Sequence, residues 1–168
     1  AKADGSFRSN VYLDGIQEKG ILQVDIKDNS GTVVATKSFP IQTKDTLKTV
    51  SLKLNNPRQW TAETPNLYHA VFTLKGGSHL TYQSTERFGF RTVEDRQGDG
   101  IYVNGTKVKM KGVNRHVWWP ETGRSVNKQI DLQDVKLIKE MNMNAVRCSH
   151  YPPDKSFLEI CDSLGLYV

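Results

Sequence analysis

Two short stretches hold the side chains of this sequence best suited to chemistry. One is Asn114-Arg115-His116, which continues through Val117 to the paired indoles Trp118 and Trp119; the other is Arg147-Cys148-Ser149-His150. Amide, guanidinium, hydroxyl and imidazole groups can hold and orient a polar ligand. A guanidinium beside a carboxylate also keeps that carboxylate ionised and aimed. Each residue has a plainer reading beside the functional one. Arg147 suits a structural salt bridge, His150-Tyr151-Pro152 a turn at a strand end, and Arg115 an anchor for its own loop. Trp118 and Trp119 suit packing of that loop against another part of a protein. His69 and His79 fall in strand-like segments and read as structural or surface residues. Among the carboxylates, Glu140 and Glu159 lie on helix-like segments, where a solvent-facing charge is expected.

The elements that must position these residues follow two periods. Residues 5 to about 92 alternate apolar and polar side chains, as in Ile21-Leu22-Gln23-Val24-Asp25-Ile26 and Val50-Ser51-Leu52-Lys53-Leu54, with a turn at Asn29-Ser30-Gly31. Segments 32–39, 67–74 and 79–90 complete a small antiparallel sandwich. Glu94 to Gly100 is polar and glycine-bearing, as linkers are. Ile101-Tyr102-Val103 and Lys107 to Met110 then flank Asn104-Gly105, a hairpin signal because a type I′ turn needs positive φ at both centres. Beyond it the period becomes helical. Leu132, Val135, Ile138 and Met141 share a face, with Leu137 alongside and Asn127 or Asp131 as the cap. Asn144 to Arg147 reads as a short buried strand. Pro152-Pro153-Asp154 opens a second helix, with Phe157, Leu158 and Cys161 inward and Gly165 closing it. Leu166-Tyr167-Val168 reads as the next strand. The expectation is mainly β, with a sandwich domain at 1–93 and the opening of a parallel α/β barrel at 94–168.

Composition excludes several classes. The net charge of +5 arises from 11 Lys and Arg against 8 Asp and Glu in residues 1–90, and 12 against 10 in the remainder. An excess spread this evenly forms no basic stripe, so no nucleic-acid partner is expected. No run approaches the roughly 20 apolar residues of a membrane span, so no membrane partner is expected either. Ala1 to Ser6 lack the pattern of a signal peptide, which leaves the compartment open. Cys148 and Cys161 are 13 residues apart in a chain without Cys-x-x-Cys or paired-His spacing. Two buried free thiols are expected, with neither a zinc site nor a disulfide.

Three blocks resemble glycoside hydrolase family 2. They are Trp60 to Tyr68 with Phe88-Gly89-Phe90-Arg91; Asn104-Gly105 with Lys111 to His116 and Glu121-Thr122-Gly123-Arg124; and Asp134 through Asn144-Ala145-Val146-Arg147-Cys148-Ser149-His150-Tyr151-Pro152 to Cys161–Val168. Several ordered blocks at compatible spacing are far more specific than one motif. Glu121 to Arg124 and the Cys148 context resemble the β-galactosidases of the family. Val117 stands where those enzymes usually have glutamate.

The resemblance implies an immunoglobulin-like β-sandwich, a β-hairpin and the first β/α units of a (β/α)8 barrel. It implies retaining hydrolysis of terminal β-galactosides by an acid and a nucleophile glutamate, both expected beyond Val168, so the chain alone is expected to be inactive. Arg147 would lie against the nucleophile carboxylate. His150, Ser149, His116, Asn114 and Arg115 would line the site, and Trp118 or Trp119 could stack on a sugar face. The resemblance implies no cofactor within these residues and leaves room for a divalent metal in a longer parent protein. Unpaired barrel edges would favour self-association. A β-glucuronidase, another family 2 glycosidase and a non-catalytic carbohydrate-binding or scaffolding module remain alternatives. The sandwich strands show no cluster of exposed aromatics, which weighs against the last.

Overall fold

The structure is a computed structural model that describes residues 1–76 and 80–168. His79, expected in a strand, lies outside the described residues. The chain forms two compact units: residues 1–59 with 66–92, and residues 60–65 with 93–168.

The first unit is the sandwich. Its strands are β1 (Ser6–Tyr12), β2 (Gly20–Lys27), β3 (Val33–Ile41), β4 (Leu47–Lys53), β5 (Tyr68–Gly76) and β6 (Leu80–Phe88). A four-stranded sheet in the order β3-β2-β5-β6 faces a two-stranded sheet of β1 and β4, and all neighbours are antiparallel. Alternation fixes the inner face: Leu22, Val24 and Ile26 are buried and meet Phe7, Val50 and Phe90 in the core. The Asn29-Ser30-Gly31 turn is held by Asp28, whose side chain accepts from the backbone N–H groups of Ser30 and Thr32 at 2.9 and 3.0 Å.

The second unit opens with β7 (Val93–Arg96), β8 (Gly100–Val103) and β9 (Thr106–Lys107), an antiparallel sheet. Most of the stretch expected to be a linker is therefore strand: Val93 pairs with Val103 and Asp95 with Ile101. Asn104 and Gly105 take φ of 52° and 79°, as a type I′ turn requires. The strand after the turn stops at Lys107, short of the expected Met110, which is exposed.

The next element is β10 (Gly112–Arg115), which pairs in parallel with β11 (Ala145–Cys148). Asn144 sets this pairing: its side chain accepts from Lys111 N at 2.8 Å and donates to Lys109 O at 3.1 Å. At Gly112 a Cβ would fall 1.9 Å from Ala145 O, so only glycine permits the approach. Tyr167 adds a parallel bridge to Ala145. Helix α1 (Lys128–Glu140) follows β10, and α2 (Lys155–Leu164) follows β11. Asn127 caps α1, accepting from Gln129 N and Ile130 N. Gly165, with φ 76°, closes α2.

The helices pack through Val135, Ile138, Phe157, Ile160 and Cys161 against Val146 and Leu166. Two expected inward residues, Met141 and Leu158, are instead exposed, as is Leu137, expected alongside that face. The buried stripe of α1 runs through Ile130, Asp131, Val135 and Ile138, so Leu137 falls to its side and Met141 sits at the C-cap. In α2, Ile160 takes the inward place expected for Leu158. Cys161 is buried, but Cys148 is only partly so.

Residues 60–65, expected with the sandwich, belong to this second unit. The Trp60 indole donates to Asp162 O at 2.8 Å and meets the Tyr167 ring edge-on. Lys139 Nζ donates to Ala62 O and Gly165 O at 3.0 and 2.8 Å.

Candidate functional site

Parallel pairing brings the two reactive stretches together. Asn114 is the register partner of Arg147, and Arg115 that of Cys148. Successive side chains of a strand point to opposite faces, so Asn114 and Arg147 share one face while Arg115 and Cys148 share the other. The helices occupy the Arg115 face, which leaves Asn114, His116, Arg147 and His150 exposed. His116 and His150 follow the carboxyl ends of β10 and β11, and their rings meet edge-to-face with centroids 5.7 Å apart. His116 enters from the loop that begins where β10 ends.

Tyr151 ties the two strand ends together, a role not singled out from sequence. Its hydroxyl accepts from Val117 N at 2.8 Å, its ring lies 6.2 Å from that of His116, and the Arg124 guanidinium stacks over it at 4.4 Å. Arg124 comes from a tight turn in which Trp119 and Gly123 exchange backbone hydrogen bonds of 2.7 and 2.8 Å. Glu121 lies in that turn and is exposed. Trp118 is 59% exposed, free to present its ring, whereas Trp119 is half-buried in the turn.

Two expected site residues are placed otherwise. Arg115 is buried and turned toward the helices: its Nε donates to Asp134 and its Nη2 to Asp131, each at 2.8 Å, and its guanidinium lies 4.2 Å from the Phe157 ring centre. Asp131, considered as the α1 cap, is the buried acceptor of this pair and also receives the Ser156 hydroxyl at 3.1 Å. Arg115 therefore anchors β10 to both helices and does not face the exposed side. Ser149 is 1% exposed; its N–H donates to Arg115 O at 3.0 Å, and its hydroxyl has no hydrogen-bond partner among the described residues. Sequence held only a faint signal for the aspartates, since charges at 131 and 134 on an amphipathic helix look like a solvated edge.

Among the described residues no group of His, Cys, Asp and Glu could hold a metal ion. No described helix is long and apolar enough to cross a membrane. Burial pushes the Cys161 thiol up to about 12 and raises that of Cys148, so neither is an activated nucleophile. What the exposed groups can do is bind: imidazole and amide groups exchange hydrogen bonds with hydroxyls, and Arg147 can hold an anion.

Parallel strands each followed by a helix, with polar groups gathered at the strand carboxyl ends, define the class: the opening units of a (β/α) barrel. The family model for glycosyl hydrolases family 2 matches residues 3–91, and that for the family 2 TIM barrel domain matches residues 93–168. The chain belongs to glycosyl hydrolases family 2. It is 37% identical over 167 residues to a β-galactosidase of Halalkalibacterium halodurans, covering 98% of this chain and 16% of that protein. It is 43% identical over 119 residues to a β-galactosidase of Pseudoalteromonas haloplanktis, covering 70% and 11%. Among solved structures, a β-glucuronidase of Bacteroides uniformis is 31% identical with a TM-score of 0.80, covering 96% of this chain and 20% of that one. A family 2 member from Bacteroides cellulosilyticus is 27% identical with a TM-score of 0.87, covering 99% and 22%. The chain thus spans only a small part, 16% and 11%, of these two curated relatives.

Proposed function

We propose that this chain supplies one wall of the sugar site of a retaining glycoside hydrolase acting on terminal β-galactosides. The observation that carries the reading is the exposed group of Asn114, His116, Arg147 and His150, gathered by the parallel pairing of β10 and β11 at their carboxyl ends. In a retaining double displacement, one carboxylic acid protonates the leaving oxygen while a carboxylate about 5–5.5 Å away attacks the anomeric carbon. Arg147 would hold that nucleophile ionised and aimed, and His116, His150 and Asn114 would bind sugar hydroxyls more tightly as the transition state forms. Trp118 offers a plane for the C–H side of the ring. Both glutamates would come from outside these 168 residues, so the chain alone is expected to be inactive. No cofactor is assigned to these residues, and a divalent metal in the whole protein would draw its ligands from elsewhere.

The β-galactoside specificity draws support from the names of the curated relatives. A second reading, a β-glucuronidase, draws support from the 31% identical solved structure. Nitrophenyl β-galactoside and β-glucuronide, offered to the protein expressed from its whole coding sequence, separate the two. Cleavage of the galactoside with retained anomeric configuration is expected, with none by the 168-residue chain. Inversion, or turnover by the chain itself, would overturn the proposal. In the whole protein, His150→Ala and Arg147→Ala should each lower kcat/KM at least about tenfold, or about 1.4 kcal/mol. Unchanged kinetics would return both residues to structural roles.

A further inference from the structure

The sandwich is uneven: two strands face four. Among the described residues β1 pairs only with β4, so its outer edge is open, and β6 lies at the edge of the larger sheet. The opening is a groove of about 690 Å³. Its floor includes Leu22, Phe72 and Leu74. Register places Tyr82 opposite Leu74, Ser84 opposite Phe72 and Glu86 opposite Ala70, hence on the face that elsewhere forms the core. A strand serving only to cover a core would carry apolar residues at those positions. This one offers a phenol, a hydroxyl and a carboxylate. The β1 side adds Asn10, Tyr12 and Asp14. Tyr12 is 80% exposed and Tyr82 66%, a pair of aromatics 70 residues apart in sequence and brought to one groove by the fold.

We propose that this groove is a saccharide-binding site, separate from the rim on the second unit. Apolar floor and tyrosine rings suit the C–H face of a pyranose. Two carboxylates and an amide are acceptors and donors for its hydroxyls, and a carboxylate accepting from a hydroxyl makes a stronger bond than a neutral acceptor does. Charge argues for a neutral polyol over a second copy of the chain. The lining holds Asp14 and Glu86 but no Lys, Arg or His, so groove-to-groove pairing would oppose like charges. The site stands independently of the proposed hydrolysis, since it uses no residue of the second unit.

Titrating the 168-residue chain with methyl β-galactoside and with a β-linked galactobiose, followed by amide chemical shifts, tests this directly. Shifts in β1 and β6 that saturate at millimolar sugar are expected, larger for the disaccharide. Tyr82→Ala and Tyr12→Ala should each weaken binding about threefold to tenfold, the range that an aromatic contact spans. Glu86→Gln should weaken it further than Gln83→Ala, a substitution on the opposite face. All these positions are exposed, and unchanged far-UV circular dichroism would verify folding. Absent shifts up to the solubility of the sugar, or affinities untouched by the tyrosine variants, would overturn the proposal. So would saturation by a basic peptide alone, which would assign the groove to a protein partner.

Discussion

Replacing Arg115 by Met should unfold the second unit selectively. The guanidinium satisfies Asp131, which is 2% exposed, and Asp134, which is 30% exposed, while lying over Phe157. Removing one partner of a buried ion pair costs about 3–5 kcal/mol, because the remaining charge stays buried without compensation. Two details place the cost in the lower half of that range. Asp134 can hydrate, and Asp131 keeps the Ser156 hydroxyl. Loss of the cation–π contact, made between groups buried from water, adds about 2 kcal/mol. A total near 5 kcal/mol is a large share of the roughly 5–10 kcal/mol that a small unit commands. With a urea slope of about 1.5 kcal/mol/M, the midpoint falls by about 3–4 M. The assay is built into the sequence, since the tryptophans, Trp60, Trp118 and Trp119, all lie in the second unit. Indole fluorescence therefore follows that unit alone, while far-UV circular dichroism follows both. The indole transition should move and the sandwich transition should stay. Pairing Arg115→Met with Asp131→Leu should recover part of the loss, since the orphaned charge is then absent. An indole midpoint shifted by less than about 0.5 M, or both transitions moving together, would refute the reasoning.

Other expectations are more compact. Asp4 is held at about 2 by the Ser6 backbone N–H and by Lys53, and hydrogen bonds from Ser30 and Lys107 depress Asp28 and Asp99. A carboxyl depressed on folding contributes stability that is present above its unfolded value and lost as pH falls through the folded one; urea midpoints should therefore decline from about pH 4 toward pH 2, and a flat profile would contradict these pairings. Thiols raised by burial act oppositely, so stability should fall above about pH 9. In native protein at neutral pH, iodoacetamide should label Cys161 only on unfolding and Cys148 slowly; rapid labelling of Cys161 would mean the helix α2 interface opens readily. Among the described residues β10 has no partner on its outer edge and β11 only the Tyr167 bridge on its far side, so we expect residues 112–168 either to self-associate or to exchange amide hydrogens faster than residues 5–92. A monomer by light scattering with equally slow exchange in both regions would show that these edges are no liability.

Much of this fold was legible because local chemistry and tertiary structure agree. Ile21 to Ile26 alternates and is half core; Asn104-Gly105 turns; Asn127 caps; Gly165 ends a helix in the left-handed region. What was not legible depends on partners distant in sequence. Gly112-Val113-Asn114-Arg115 has one apolar side chain and no period, yet it is a strand because Asn144 and Ala145 hold it there. Glu94 to Arg96 looks like a linker until Tyr102 and its neighbours pair with it. The rim residues were visible as residue types, and parallel register unites them. The division between Arg115 and its neighbours follows from strand alternation, but only once residue 115 is known to lie in a strand. Tyr12 and Tyr82 belong to separate strands, so no local pattern could join them.

The bond from the Trp60 indole to Asp162 O spans 102 residues. A ribosome adding about 5–20 residues per second delivers the second partner some 5–20 s after the first. The sandwich needs no such wait, because its last strand is made by residue 88. Residues 60–65 can form their own Trp60–Pro65 bridge and Thr61–Thr64 hydrogen bonds at once, but through this interval the Trp60 indole waits for the Asp162 carbonyl and the Tyr167 ring. That exposure sets a window for holding factors. Slower synthesis lengthens the interval and gives misdirected contacts of Trp60 more time to form, while the sandwich is unaffected.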